Sequence, residues 1–145
     1  MKKKVLSMLL LGAVVCACSG CNTNMSFTYN VDTGDTVKVQ LNTTGAYKLS
    51  SSLPFEVSKD GETLSQGTFI TLDGYYAYYD EVYDSDVEIL EDGQKGECEY
   101  VMWTHGYEYD YLILIEDSNT GVLIGNDVSE ESARECFDRL DITLE

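Results

Sequence analysis

Residues 97–116 read ECEYVMWTHGYEYDYLILIE, two runs of strand-forming residues that meet at Gly106. In the second run Tyr111, Leu112, Ile113, Leu114 and Ile115 follow one another without a polar interruption. A strand with one wet face alternates apolar and polar residues, so an unbroken apolar run calls for cover on both faces and a central place in a sheet. The reading is two long strands, Glu97–His105 and Tyr109–Glu116, joined at Gly106. Met102 and Trp103 point to opposite faces of the first, and Trp103 is expected in the core rather than on a ligand platform.

On the C-terminal side the turn residues Asp117-Ser118-Asn119 lead into a further strand, Thr120–Gly125. Ser129 then caps a helix, with Glu130 and Glu131 in the first turn where the helix dipole favours acids. Ala133, Cys136, Phe137 and Leu140 repeat at helical spacing, and Glu130 with Arg134 and Glu135 with Arg139 form i,i+4 pairs in the favoured order. Ile142 and Leu144 are read as a terminal edge strand.

On the N-terminal side a turn is expected at Asp92-Gly93, preceded by a strand over Val87–Leu90. In Leu72–Tyr83 the period changes: Leu72, Tyr75, Tyr76, Tyr79, Val82 and Tyr83 share one helical face, and Asp73, Asp80, Glu81 and Asp84 the other. This segment is read as a helix packed by its tyrosines. Gly74 costs a helix about 1 kcal/mol and tyrosine is a middling helix former, which leaves a strand as the alternative. Before it the chain is β-rich. Phe27–Val31 and Val37–Leu41 alternate around Asp32-Thr33-Gly34-Asp35, Ala46–Ser50 and Phe55–Ser58 flank Pro54, Asp60-Gly61 favours a tight hairpin, and Thr68-Phe69-Ile70 follows. The expected architecture is α+β: an antiparallel sheet of about six or seven strands packed with one or two helices, including a C-terminal helix.

The 145 residues carry 9 Lys+Arg against 26 Asp+Glu, a net charge of −17, which argues against nucleic acid because phosphate binding needs clustered bases. The length suits one domain. Its beginning reads as three lysines, an apolar run of 13 residues from Val5 to Ala17, then small residues and cysteines. As a helix that run spans about 20 Å, short of a bilayer core of about 30 Å. Val15-Cys16-Ala17-Cys18 and Cys18-Ser19-Gly20-Cys21 resemble the lipobox of bacterial lipoproteins, whose final cysteine is acylated. Val15 and Ala17 favour Cys18 over Cys21. The resemblance implies a signal peptide over 1–17, a lipidated cysteine and short tether over 18–25, and an ectodomain over 26–145 held at a bacterial membrane, outside the cytoplasm. Without residues 1–17 the chain keeps six basic and 26 acidic residues, a net charge of −20. From Ala46 to Glu145 the order of elements resembles the PsbP-like fold, which implies an accessory protein of the extracytoplasmic space; a β-sandwich with one terminal helix is the rival.

Candidate chemistry is sparse. His105 is the only histidine, and no recognisable spacing ties it to a nucleophile or a metal-ligand motif. Asp84-Ser85-Asp86-Val87-Glu88 begins like a calcium loop but has Ile89 where the turn glycine is needed. No catalytic residue, metal site or cofactor is therefore assigned. Cys98 and Cys136 are either a disulfide pair or two buried thiols. Asp73, Asp80, Glu81 and Asp84 form a candidate surface for a basic protein partner or calcium. The functional expectation is a membrane-tethered binding or accessory module without catalysis. Its rivals are a cell-envelope hydrolase with a dispersed site and an inhibitor or immunity-type protein using an acidic face. A pocket joining His105 to a carboxylate and a serine would favour the hydrolase, whereas a flat acidic patch rimmed by aromatics would favour the partner surface.

Overall fold

The computed structural model describes residues 9–10 and 23–145. Cys18 and Cys21, and with them the lipidation reading, lie outside the described residues. The elements run β1 (Leu9–Leu10), β2 (Asn24–Asn30), β3 (Thr36–Asn42), β4 (Tyr47–Leu49), β5 (Phe55–Lys59), β6 (Glu62–Thr71), α1 (Leu72–Asp84), β7 (Glu88–Lys95), β8 (Cys98–His105), β9 (Glu108–Ile115), β10 (Thr120–Asn126), α2 (Glu130–Arg139) and β11 (Leu140–Leu144). The fold is α+β, as expected, with its strands divided between two antiparallel sheets: a large one ordered β4-β5-β6-β10-β9-β8-β7 and a small one ordered β1-β2-β3-β11. β2 begins at Asn24, so the last residues read as tether belong to a strand.

The apolar run of β9 lies between β10 and β8, and its side chains alternate between two cores. Tyr111, Ile113 and Ile115 join Met102, Val122 and Ile124 against the small sheet and α2. Leu112 and Leu114 face the other way, with Val101, Trp103, Ile70 and Leu123, under Tyr75 and Val82 of α1. The molecule thus has three layers, with the large sheet in the middle.

Local chemistry explains the connections. Asp60 and Gly61 both have positive φ, 52° and 83°, in the two-residue turn joining β5 to β6, the combination a type I′ hairpin needs. Gly106, at φ 84°, opens the two-residue turn between β8 and β9. The turn expected at Asp92-Gly93 does not form: β7 runs through it to Lys95, and the chain reverses at Gly96. Gly93 pairs with Tyr100, whose ring lies along the bare backbone and fills the missing side chain's place. Both i,i+4 pairs on α2 form, at 2.9 Å and 3.2 Å, and Lys95 donates to the carbonyl oxygens of Phe137 and Leu140 at that helix's end. Cys98 and Cys136 are buried and unbridged. The Cys98 thiol is aimed at the carbonyl oxygen of Ile142, whereas Cys136 sits beside Ser65 and Ser132; burial pushes both thiols up, Cys98 to about 11.

One carboxylate ties the layers together. Asp35, in the β2–β3 turn, accepts from the Asn119 backbone N–H at 2.8 Å and from the hydroxyl of buried Thr120 at 2.7 Å. Asp35→Ala strips the Asn119 N–H of its acceptor, leaves the Thr120 hydroxyl with Thr33 Oγ1 at 2.6 Å, and is expected to destabilise by about 1–3 kcal/mol. Urea unfolding measures it, and a change below about 0.5 kcal/mol would make this link unimportant.

Candidate functional site

β6 ends where β10 begins, at the Thr71–Thr120 pair, and α1 starts there; β7, which follows α1, begins at the opposite end of the sheet beside Thr104 of β8. The helix therefore crosses the sheet diagonally. Thr71 caps its start by accepting from the Gly74 N–H at 3.1 Å. Gly121, beneath it, lets the helix approach closely: a Cβ there would stand 3.1 Å from the Cβ of Tyr75 and crowd it by a few tenths of an ångström. A thirteen-residue helix lying across a seven-stranded sheet covers a diagonal band and leaves two corners of that face open.

The corner beside the C-terminal half of α1 holds the candidate site. A cavity of about 520 Å³ has walls that include Val82, Val87, Trp103 and Leu123, with polar groups from His105, Glu108 and Asp110. A second hollow of about 720 Å³ continues from Glu108, Asp110 and Leu123 over Gly125 toward Gln66 and Pro54. The two form one groove along the end of the sheet, with the carboxylates at its midpoint.

The hairpin register sets this geometry. The two-residue turn at Gly106 places His105 opposite Glu108 and Trp103 opposite Asp110, so all four side chains project from the α1 face. His105 Nε2 lies 3.8 Å from Glu108 Oε1 and 3.6 Å from Asp110 Oδ2. His105 and Glu108 are half exposed, whereas Asp110 keeps 8% of its surface. Burial is the main cause that pushes the Asp110 carboxyl up to about 7; the charge of Glu108 and a hydrogen bond with it add to the rise, and His105 opposes it. Gly125, directly opposite Asp110 on β10, supplies the space: a Cβ there would stand 3.0 Å from Asp110 Oδ1 and 3.3 Å from Glu108 Oε2.

Glu81 and Asp86 also line the first cavity, which therefore carries four carboxylates and the histidine, with no lysine or arginine among its lining residues. Ser85 lies there too, but its hydroxyl donates to the Val82 carbonyl and accepts from the Val87 N–H, both at 3.4 Å. Among the described residues, the polar groups in contact with His105 are the two carboxylates.

The acids singled out from the sequence are dispersed by comparison. Asp73, Asp80, Glu81 and Asp84 are all exposed on α1, and Glu81 alone of them reaches the groove. The tyrosine face is corrected. Tyr75 packs on the sheet, but Tyr76, Tyr79 and Tyr83 are 52%, 39% and 42% exposed and make an outward row, with Tyr79 and Tyr83 ring centroids 4.7 Å apart. The buried stripe is narrower than the sequence pattern implies because the sheet beneath reaches only the positions of Tyr75 and Val82. Glu108, Asp110 and Gly125 were not singled out from the sequence. A Gly-x turn after His105 contains the signal for the first two, since two loop residues dictate the 105–108 and 103–110 pairings. Gly125 becomes legible only once β10 is placed beside β9.

No protein-family model matches this chain, and neither a curated protein nor a solved structure matches it.

Proposed function

We propose that this chain is a lipid-tethered, extracytoplasmic binding module that takes a cationic ligand in the groove beside α1. The observation that carries the reading is the charge of that groove: Glu81, Asp86, Glu108 and Asp110 converge on an apolar-walled cavity that, among the described residues, no lysine or arginine lines. The lipobox-like leader, ending at Cys18 or Cys21, supports a membrane tether outside the cytoplasm. The resemblance in element order to the PsbP-like fold supports an accessory role. The ligand reading moves the expected calcium or basic-partner surface from the outer face of α1 into the groove, where carboxylates from α1, the α1–β7 connection and β9 line one cavity.

Two measurements on the full chain test the proposal. Expressed in a bacterium, the parent should fractionate with membranes in acylated form, and Cys18→Ala should lose the acyl chains. Acylation of that variant at Cys21 in parental amounts would move the anchor to Cys21, and an unacylated parent would remove the tether. Separately, a linear polyamine and an oligolysine peptide should raise Tm in detergent; a ligand at 100 times its Kd adds about 2.7 kcal/mol, several degrees in a domain of this size. Glu81→Gln with Asp86→Asn should abolish the rise, and Asp80→Asn with Asp84→Asn, on the outer face of α1, should keep it. The opposite pattern would return the site to the outer face.

A second reading, a cell-envelope hydrolase, is favoured by one observation: Asp110, a carboxyl group held up to about 7, beside Glu108 in a cleft, the pairing that acid–base catalysis uses. Cleavage of isolated cell-wall material by the parent and not by Glu108→Gln would establish it.

A further inference from the structure

We propose that His105, Glu108 and Asp110 form a binding site for one divalent transition-metal ion of the zinc class. The proposal deepens the reading of the groove as a cation site and rests on it. One imidazole nitrogen and two carboxylate oxygens come within 4.8 Å of one another, at a place where two hollows meet. Ligands about 2.1 Å from a zinc ion are separated by about 3.0–3.4 Å at tetrahedral or octahedral angles. The 3.6 Å and 3.8 Å from His105 Nε2 to the two carboxylates need a few tenths of an ångström of closure, and the widest ligand separation, up to 4.8 Å, needs about 1.4 Å, a movement open to the half-exposed His105 and Glu108.

One further observation points to a cation. Asp110 is buried next to a second carboxylate, with which it shares a hydrogen bond, and among the described residues its one ion-pair partner is the half-exposed His105. A buried carboxylate normally has a guanidinium, an ammonium or a metal beside it. The glycine at 125 lets the two carboxylates lie together against β10. Its φ is not in the left-handed region, so the backbone does not demand glycine there; the absent Cβ instead makes way for Asp110 Oδ1 and Glu108 Oε2, while Oδ2 and Oε1 face His105. The donor set chooses among ions. Imidazole suits zinc, cobalt and their neighbours, whereas calcium and magnesium prefer oxygen alone. Three protein ligands beside an open groove leave at least one coordination position for water or a ligand.

Titration of the chelator-stripped full chain in detergent with Zn2+, in millimolar Ca2+, tests this. One equivalent should bind, and His105→Ala and Glu108→Gln, both at half-exposed positions that tolerate substitution, should each weaken binding by more than about 10-fold. Asp80→Asn with Asp84→Asn should leave it unchanged. With Co2+, visible absorption bands should appear without the near-ultraviolet charge-transfer band of thiolate ligands, and should be lost in His105→Ala; this separates the site from the cysteines of the leader. Binding that calcium displaces, that survives His105→Ala at parental strength, or that is absent overturns the proposal. A polyamine-induced rise in Tm that persists while zinc fails to bind would overturn the metal site alone; loss of both would overturn the groove reading with it.

Discussion

Replacing Gly67 by alanine is expected to destabilise the protein by about 3 kcal/mol, a large share of the 5–15 kcal/mol that holds a domain folded. Gly67 of β6 pairs with Phe55 of β5, and the Phe55 ring lies flat over its backbone: a Cβ at position 67 would stand 2.2 Å from Cζ and 2.7 Å from both Cε atoms. The ring has nowhere to go. Phe55 is fully buried and packs against Phe69 at 6.0 Å between centroids, so the methyl must displace a core aromatic. Overpacking costs about 1–3 kcal/mol and losing a buried Phe about 3–5 kcal/mol, from which a gain of up to about 1 kcal/mol for replacing a strand glycine is subtracted. A double-mutant cycle isolates the cause. In a Phe55→Ala background the Gly67→Ala change should become neutral or stabilising, and an equal cost in both backgrounds would show that the ring is not responsible.

The second large effect is a dependence on pH. In the folded chain the Asp110 carboxyl is raised from 3.8 to about 7, chiefly by burial. Between those values the folded state holds a proton that the unfolded state has released, so folding stability falls as pH rises through the window and levels off above it. Three pH units correspond to about 4 kcal/mol. Asp110→Asn removes the titration while keeping the shape. In the presence of a chelator, the variant should match the parent near pH 4 and exceed it by up to about 4 kcal/mol at pH 8. Urea unfolding at both pH values reads the difference between the two proteins, in which the self-repulsion of a strongly acidic chain largely cancels. Parallel stability curves would mean that Asp110 does not carry the raised carboxyl.

These two positions differ in how they can be read. Gly67 is invisible in the sequence, where it is one glycine between Gln66 and Thr68; its role follows from the β5–β6 register, which brings Phe55 over it. Asp110 is half legible. Its place opposite Trp103 follows from the Gly106 turn, but its burial depends on β10 and on the wall made by α1.

Most of the elements are written in local sequence. Periodicity, capping and turn chemistry are local, and they suffice for the central apolar strand around Ile113, the helix capped by Ser129, the Asp60-Gly61 hairpin and the helical period of Leu72–Tyr83. Local rules failed at Asp92-Gly93, a pair that favours a turn when free to choose, because the ring of Tyr100 on the neighbouring strand compensates for the glycine and keeps the ladder intact. Long-range packing divides the strands between two sheets, lays α1 diagonally with most of its tyrosines outward, and points Cys98 and Cys136 at different partners. The groove is a product of the same packing. It exists because one short helix cannot cover seven strands, and its chemistry comes from residues on α1, β8, β9 and β10 whose meeting no local pattern encodes.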